Sequence, residues 1–271
     1  MTTPISAAAA SDIVSALRSA GCVFAEDEAA LLIAAASSPA ELSASVQRRI
    51  GGEPLEVILG WAEFAGLRIA IDPGVFVPRR RTEYLVRQAL KLASPSAVVV
   101  DLCCGSGALG AAMAAVLPGI RLSASDIEPA AVRCARKNLA GIGDVFEGDL
   151  FEPLPDSLRG TVDILLVNAP YVPTSEIAGM PPEARIHEPQ VALDGGGDGL
   201  DIHRRVAAEA AEWLAPGGTL LIETSVRQSA EAVRFLAQAG LTVRVAHSKK
   251  RDATVVLATR DSWLPETRAV A

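Results

Sequence analysis

The 271-residue chain is poor in the residues that build metal sites and disulfide frameworks, with four cysteines, three histidines and three methionines. Cys22, Cys103, Cys104 and Cys134 form no C-x-x-C pair, and His187, His203 and His247 are scattered. Neither a zinc site nor a disulfide scaffold is therefore expected. No uninterrupted apolar run reaches the roughly 20 residues that a membrane-crossing helix needs. The N-terminus lacks a basic segment leading into a clean apolar stretch, so the expectation is a cytoplasmic protein without a secretory leader. Positive charge is in deficit as well: 25 Lys and Arg against 32 Asp and Glu give a net charge of −7. That balance disfavours general binding to nucleic acid and leaves only a local basic patch open. Gly105-Ser106-Gly107 is too short for the G-x-S-x-G elbow of a serine hydrolase. Aromatic residues make up 4% of the chain, but half of it is hydrophobic, enough for one large α/β domain with a smaller appendage.

What is present centres on Val98-Val99-Val100-Asp101-Leu102-Cys103-Cys104-Gly105-Ser106-Gly107-Ala108-Leu109-Gly110. β-Branched residues, a glycine-punctuated turn and an Ala-rich segment read as a buried strand, a tight loop and a helix. Glycines let the backbone approach a ligand closely, and the helix behind offers unpaired N–H groups. Residues 105–110 match the G-x-G-x-x-G of dinucleotide sites. Taken with Asp101, positions 103, 105 and 107 match instead the D-x-G-x-G-x-G of S-adenosylmethionine-dependent methyltransferases, with Cys103 at the first glycine. The second reading is preferred, because a dinucleotide strand feeds straight into its first glycine without an acid and a Cys-Cys pair between.

Upstream, Ser11-Asp12 is placed to cap a helix carrying Ile13, Val14 and Leu17, which Gly21 ends. Residues 26–36 form a second helix, and Ser38-Pro39-Ala40-Glu41 is a capping box starting a third, ended by Gly51-Gly52. This appendage reads either as a packing cap or as a docking unit. Residues 61–64 and 67–71 alternate around Ala65-Gly66 and predict a hairpin. Arg79-Arg80-Arg81 reads either as a solvated charge run or as a reader of anions beside the pocket. Thr82 is expected to cap a helix running to Leu92. From residue 97, strands at 97–102, 121–125, around 145, 162–167 and 219–223 alternate with helices at 128–139, 201–214 and 229–239. Two strands in succession, 241–247 and 254–258, follow. The fold class is α/β, a mainly parallel doubly wound sheet with an antiparallel edge hairpin.

Ligands of such sheets lie beyond the carboxyl ends of the strands. Asp101 closes the first strand, and Asp126 closes the second, where a carboxylate can accept both hydroxyls of a ribose. Asp149 follows the third, placed to accept an adenine amino proton under the apolar cover of Leu150. Each alone could be a turn former; three at successive strand ends read as a nucleoside-binding row. Asn168-Ala169-Pro170-Tyr171 leaves the next strand. An amide nitrogen shares its lone pair with its carbonyl and attacks poorly. The Asn168 side-chain oxygen and the Ala169 carbonyl can hold both N–H protons and aim the lone pair at a methyl group, while Tyr171 stacks on the planar group. A polar turn stiffened by Pro170 is the plainer alternative.

With these motifs the sequence resembles the HemK family of protein-(glutamine-N5) methyltransferases, which modify peptide chain release factors, and a sister group acting on a ribosomal protein. The resemblance runs from Arg48 to Arg260, through Arg48-Arg49-Ile50-Gly51-Gly52-Glu53-Pro54-Leu55, the loop at 101–107, Asn168-x-Pro170-Tyr171, Glu188-Pro189 and Pro216-Gly217-Gly218. It implies a class I, Rossmann-like methyltransferase domain with a seven-stranded sheet over 81–271. A connecting hairpin at 53–80 joins it to a helical substrate-docking domain at 1–52. It implies S-adenosylmethionine as cofactor, S-adenosylhomocysteine as product, and no metal. The cofactor would be held by Asp101, Cys103, Cys104, Gly105, Ser106, Gly107, Asp126, Ile127, Asp149, Leu150 and Asn168. Asn168, Ala169, Pro170 and Tyr171 would hold a glutamine side chain, with Arg79, Thr82 and Glu188 at the rim. The implied partner is a protein carrying that glutamine, a translation factor or ribosomal protein, with no membrane involved.

Three positions depart from the family pattern. The usual Asn-Pro-Pro-Tyr is Asn-Ala-Pro-Tyr, although the carbonyl at Ala169 survives and a residue before proline is already biased to extended geometry. Cys103 replaces a loop glycine, which sterics favour only where φ is negative. Pro-Arg-Pro-(Asp/Glu)-Thr-Glu becomes Pro78-Arg79-Arg80-Arg81-Thr82-Glu83, altering charge at the rim. The same Asn-x-Pro-Tyr logic would serve an exocyclic amine of RNA or DNA, or a small molecule. A cofactor-binding module without turnover is the alternative if Cys103 blocks the loop.

Overall fold

The computed structural model describes residues 7–262; the outer ends of the first and last expected domains, 1–6 and 263–271, lie outside that range. Helices α1 (Ala7–Ser19), α2 (Ala25–Ala35) and α3 (Pro39–Ile50) bury Leu17, Ala25, Ala29, Leu32, Leu42 and Val46 against one another. Ser11 and Asp12 lie inside α1 rather than capping it, because the preceding run of alanine, the best helix former, extends the helix by a turn. At α3 the Ser38 hydroxyl accepts the Glu41 N–H at 3.2 Å as predicted, but the Glu41 carboxylate returns to the Ser37 N–H at 2.8 Å. A short helix that the sequence did not suggest, α4 (Leu55–Leu59), packs on the same cluster. Five residues carry too little periodicity to be read.

Strands β1 (Trp61–Phe64) and β2 (Leu67–Ala70) form the predicted hairpin, with Ala65 and Gly66 at φ 51° and 80°, the left-handed pair of a tight turn. Helix α5 (Glu83–Leu90) follows a 3-10 turn at Arg80–Thr82. The expected Thr82 cap does not form. That turn draws Thr82 into helical φ and ψ and buries its hydroxyl inward.

The main sheet uses β3 (Val98–Leu102), β4 (Arg121–Asp126), β5 (Gly143–Glu147), β6 (Val162–Val167), β7 (Leu214–Thr224), β8 (Thr242–Ser248) and β9 (Ala253–Thr259), in the order β5-β4-β3-β6-β7-β9-β8. Neighbours are parallel from β5 to β7, and β9 pairs antiparallel with both β7 and β8. This is the seven-stranded sheet with an antiparallel edge hairpin expected from the alternation. The intervening helices are α6 (Ala108–Val116), α7 (Pro129–Asn138), α8 (Pro182–His187), α9 (Asp201–Trp213) and α10 (Val226–Gln238). Successive residues of a strand serve opposite faces. Val99, Leu221, Val255 and Leu257 pack with α5, α6 and the hairpin, whereas Val100, Leu220, Ile222 and Val256 pack with Trp213, Val206 and Leu236. Helix α10 starts three residues before its predicted start because Ser225 and Gln228 form a full capping box. Strand order reverses between β3 and β6, which leaves a crevice beyond their carboxyl ends. Among the described residues, no helix is long and apolar enough to cross a membrane.

Candidate active site

A solvent-open cavity, about 1020 Å³ with the open solvent at its mouth included, fills that crevice. Cys103, Cys104, Gly105 and Ser106 line it from the β3–α6 loop, Asp126 and Ile127 from the end of β4, Asp149 and Leu150 from beyond β5, and Asn168 and Pro170 from beyond β6. Thr82, from the turn before α5, also lines it. Asp101 and Gly107 stand behind this wall. Asp101 is fully buried and accepts the Gly110 N–H at 3.1 Å, which ties β3 to α6; burial pushes its carboxyl up to about 7. Gly107 is left-handed at φ 76°, and a Cβ there would also crowd Leu139 side-chain carbons at 3.1 Å, so both backbone and packing against the end of α7 favour the glycine.

Cys103 has φ 54°, against the negative φ that its side chain led us to expect. The chain must reverse between β3 and α6, and bonds on either side hold it to that course. The Cys104 N–H reaches the Ser125 carbonyl at 3.1 Å, and the Gly105 N–H reaches Asp126 Oδ2 at 2.8 Å. Leu150 is left-handed too, at φ 48°, and its carbonyl accepts the Ser125 hydroxyl at 2.8 Å. Two strained non-glycine residues thus face one cavity, a distribution typical of functional sites. Burial pushes the Cys103 thiol well above its usual range, which disfavours the nucleophilic thiolate.

The donor set fits a nucleoside. Gly105, at φ 55°, has open space within 4 Å of where a Cβ would stand, so a ligand can approach its backbone. Burial pushes the Asp126 carboxyl up, and the backbone N–H groups of Glu128 and Gly105 pull it down by donating to Oδ1 at 2.9 Å and Oδ2 at 2.8 Å. Each oxygen keeps a further lone pair for a diol. Asp149 pairs with Arg205 of α9 at 2.7 Å, and both line the cavity. Sequence reasoning missed Arg205, since an arginine on the polar stripe of a helix looks like any solvated charge.

A second cavity, of about 430 Å³, adjoins the first at Phe76, Asn168, Pro170 and Ala192. Ala169, Tyr171, Arg79, Arg81, Leu193 and Glu223 also line it. Tyr171 Oη donates to Glu223 Oε1 at 3.1 Å and accepts from Arg81 Nη2 at 2.9 Å, and its ring meets His203 edge-on. Burial raises both the phenol and the Glu223 carboxyl; the Thr82 hydroxyl and then the Arg81 guanidinium oppose the rise at Glu223. Buried His203 is neutral, its pKa lowered by burial to about 4, and its Nε2–H donates to the Glu223 carbonyl at 2.9 Å.

Only Arg80 of the arginine run follows the solvated reading; Arg79 and Arg81 are drawn onto side chains of the fold itself. Arg80 points outward with a loose 3.6 Å contact to Glu63. Arg79 pairs with buried Glu188 at 2.6 Å and lies over the Phe76 ring, while Arg81 turns to Tyr171. Glu188 lines neither cavity; it also accepts the Val77 N–H at 3.4 Å and so braces Arg79 from behind. Glu223 escaped the sequence reading although its signal was there, a single acid closing the apolar run Leu220-Leu221-Ile222.

The chain matches the methyltransferase small domain over residues 66–199. A methyltransferase from Pyrococcus furiosus superposes with a TM-score of 0.55 at 17% identity, covering 72% of this chain and 90% of that one. A ribosomal protein L11 methylase from Lactobacillus delbrueckii subsp. bulgaricus does so at 0.52 and 17%, covering 71% and 85%. The fold is that of class I S-adenosylmethionine-dependent methyltransferases. The release factor glutamine methyltransferase of Geobacter sulfurreducens is 39% identical over 209 residues, 75% of this chain and 72% of that protein. This chain belongs to the release factor glutamine methyltransferase, or HemK, family. Similarity within reach of this HemK-family chain extends to a Streptomyces pristinaespiralis protein named 4-amino-L-phenylalanine/4-methylamino-L-phenylalanine methyltransferase. That protein is 36% identical over 214 residues, 76% of this chain and 72% of its own length.

Proposed function

We propose that this HemK-family chain transfers a methyl group from S-adenosylmethionine to the side-chain amide nitrogen of a glutamine in a peptide chain release factor. The observation that carries the reading is the junction of the two cavities at Asn168 and Pro170. No described residue hydrogen-bonds to the Asn168 side chain or to the Ala169 carbonyl, so both acceptors are available to an incoming NH₂. When bound, S-adenosylmethionine supplies a methyl group on a positively charged sulfur. Asp126 would hold the ribose hydroxyls, Asp149 the adenine amine, and the backbone at Gly105 the remainder. Asn168 and Ala169 would take the two amide protons and turn the nitrogen lone pair toward the first cavity, while Pro170 and Phe76 wall off water between them.

Residues 7–50 would supply docking surface for the protein partner. They keep a core of their own, expose Val23 and Phe24 at 81% and 67%, and are tied to the segment behind the acceptor cavity through Arg49. That guanidinium holds Glu28 at 2.6 Å and Glu183 of α8 at 3.2 Å. The work would be done in the cytoplasm, where release factors act. The aromatic walls Phe76 and Tyr171, with the Streptomyces relative, favour a primary aromatic amine as the second reading. Incubating the chain with labelled S-adenosylmethionine and either an unmethylated release factor or 4-amino-L-phenylalanine separates the two. Methylglutamine in the digested factor supports the first, and label in the amino acid alone replaces it with the second.

A further inference from the structure

Glu223 stands at the end of β7, 2% exposed, where an ionised carboxylate carries a desolvation cost unless its neighbours offset it. The neighbours that do so belong to the acceptor cavity. Oε1 accepts the Tyr171 hydroxyl at 3.1 Å and Arg81 Nε at 3.4 Å, and Arg81 Nη2 donates back to Tyr171 Oη at 2.9 Å, closing a ring of three groups. The Thr82 hydroxyl faces the same carboxylate, although neither Thr82 Oγ1 nor Glu223 Oε2 has a well-directed hydrogen bond. The main chain repeats the arrangement. The Glu223 carbonyl takes His203 Nε2–H at 2.9 Å, and the Tyr171 carbonyl takes Gln228 Nε2 at 2.9 Å. Strand β7 is paired on both sides, by β6 and β9, and so is a rigid base.

We propose that Glu223 is a positioning residue for methyl transfer: through the Tyr171 hydroxyl and Arg81 it fixes the wall of the acceptor cavity on which the planar acceptor group rests. The inference rests on reading the second cavity as the acceptor site. A tyrosine held only at its backbone can turn about two side-chain torsions, whereas one bonded at its hydroxyl to a buried strand end cannot. Arg81 arrives from the turn before α5, so one carboxylate locks two separate segments of the cavity wall to the sheet. Glu223 does not line the larger cavity, so cofactor affinity should be indifferent to it.

The test is a double-mutant cycle on the full chain, with an unmethylated release factor as acceptor. Glu223→Gln, which keeps shape and loses charge, should lower kcat roughly tenfold, the size expected for a modest misplacement of reacting groups. Affinity for S-adenosylhomocysteine should stay within about twofold. In a Tyr171→Phe background the same change should cost about threefold or less, because of the two groups Glu223 holds only Arg81 remains. Arg81→Met, at a half-exposed site outside the core, should repeat the pattern and serves if Glu223→Gln does not fold. Additive losses, or cofactor affinity falling in step with kcat, would overturn the proposal. A readout free of substrate separates it from the functional reading. The chain has two tyrosines, Tyr84 and Tyr171, so ring-labelled tyrosine gives two NMR signals. Glu223→Gln and Arg81→Met should each move the Tyr171 signal and leave that of Tyr84 in place. An unmoved Tyr171 signal refutes the anchor whatever the acceptor. A moved signal in a chain that methylates no release factor leaves the anchor standing and removes the substrate reading.

Discussion

Replacing Asp126 by alanine separates a ligand-binding role from a purely structural one. The carboxylate performs two tasks at once: it accepts backbone N–H groups from Gly105 and Glu128, and it faces the cavity with its remaining lone pairs. Loss of the internal bonds, each worth about 1–3 kcal/mol when a charged acceptor is involved, should destabilise the ligand-free chain by a few kcal/mol at most. A thermal or urea melt reads that cost. Loss of charge-assisted bonds to two ribose hydroxyls should remove a further ~2–4 kcal/mol from cofactor binding, roughly a 30- to 1000-fold rise in Kd. Calorimetric titration with S-adenosylhomocysteine, at a temperature where the variant is folded, reads the second cost separately. A lowered melting temperature with an unchanged Kd would refute the reasoning, because Asp126 would then brace the loop and nothing more.

Asn168→Ala should lower methyl transfer by more than about 100-fold while leaving the Kd for S-adenosylhomocysteine within a few-fold; equal turnover would remove the amide-holding role. Cys103→Gly relieves a left-handed side chain, about 1–2 kcal/mol, against a backbone entropy cost of about 0.5–1 kcal/mol. Stability by urea unfolding should therefore change by less than about 1 kcal/mol, and cofactor affinity should hold. A loss above about 2 kcal/mol would mean that the thiol's packing, not the backbone, governs the site. Asp101 titrates at about 7 in the fold against an ordinary aspartate value of 3.8. A folded-state pKa raised in this way contributes stability that is full below 3.8 and lost as pH rises through 7. Asp101→Asn should accordingly raise the melting temperature more at pH 8 than at pH 5; equal shifts at both would contradict the buried carboxylate's cost.

The strand–loop–helix around Val98–Leu102 was legible because β-branched runs and glycine turns are local signals, and so were the hairpin at Ala65-Gly66 and the edge strands. Asn168 and Asp126 could be chosen from sequence because their positions follow strand ends. What escaped depends on distant pairing. Arg81 read as a member of a charge run, and only the turn at Arg80–Thr82 decides that it points inward while Arg80 points out. Glu223 is fixed as a partner of Tyr171 across 52 residues, and Arg205 as a partner of Asp149 across 56, separations that no local pattern reveals. The left-handed φ of Cys103 was hidden for a different reason: glycine announces such a conformation and cysteine conceals it.

On the proposed function, the two adjoining cavities bring a methyl donor to a glutamine amide. The most direct measurement is incubation of the full chain with labelled S-adenosylmethionine and an unmethylated release factor, followed by digestion and amino-acid analysis. Label is expected as N5-methylglutamine in a single peptide, and is lost with Asn168→Ala. Tight binding of S-adenosylhomocysteine with no label in the factor would contradict that function.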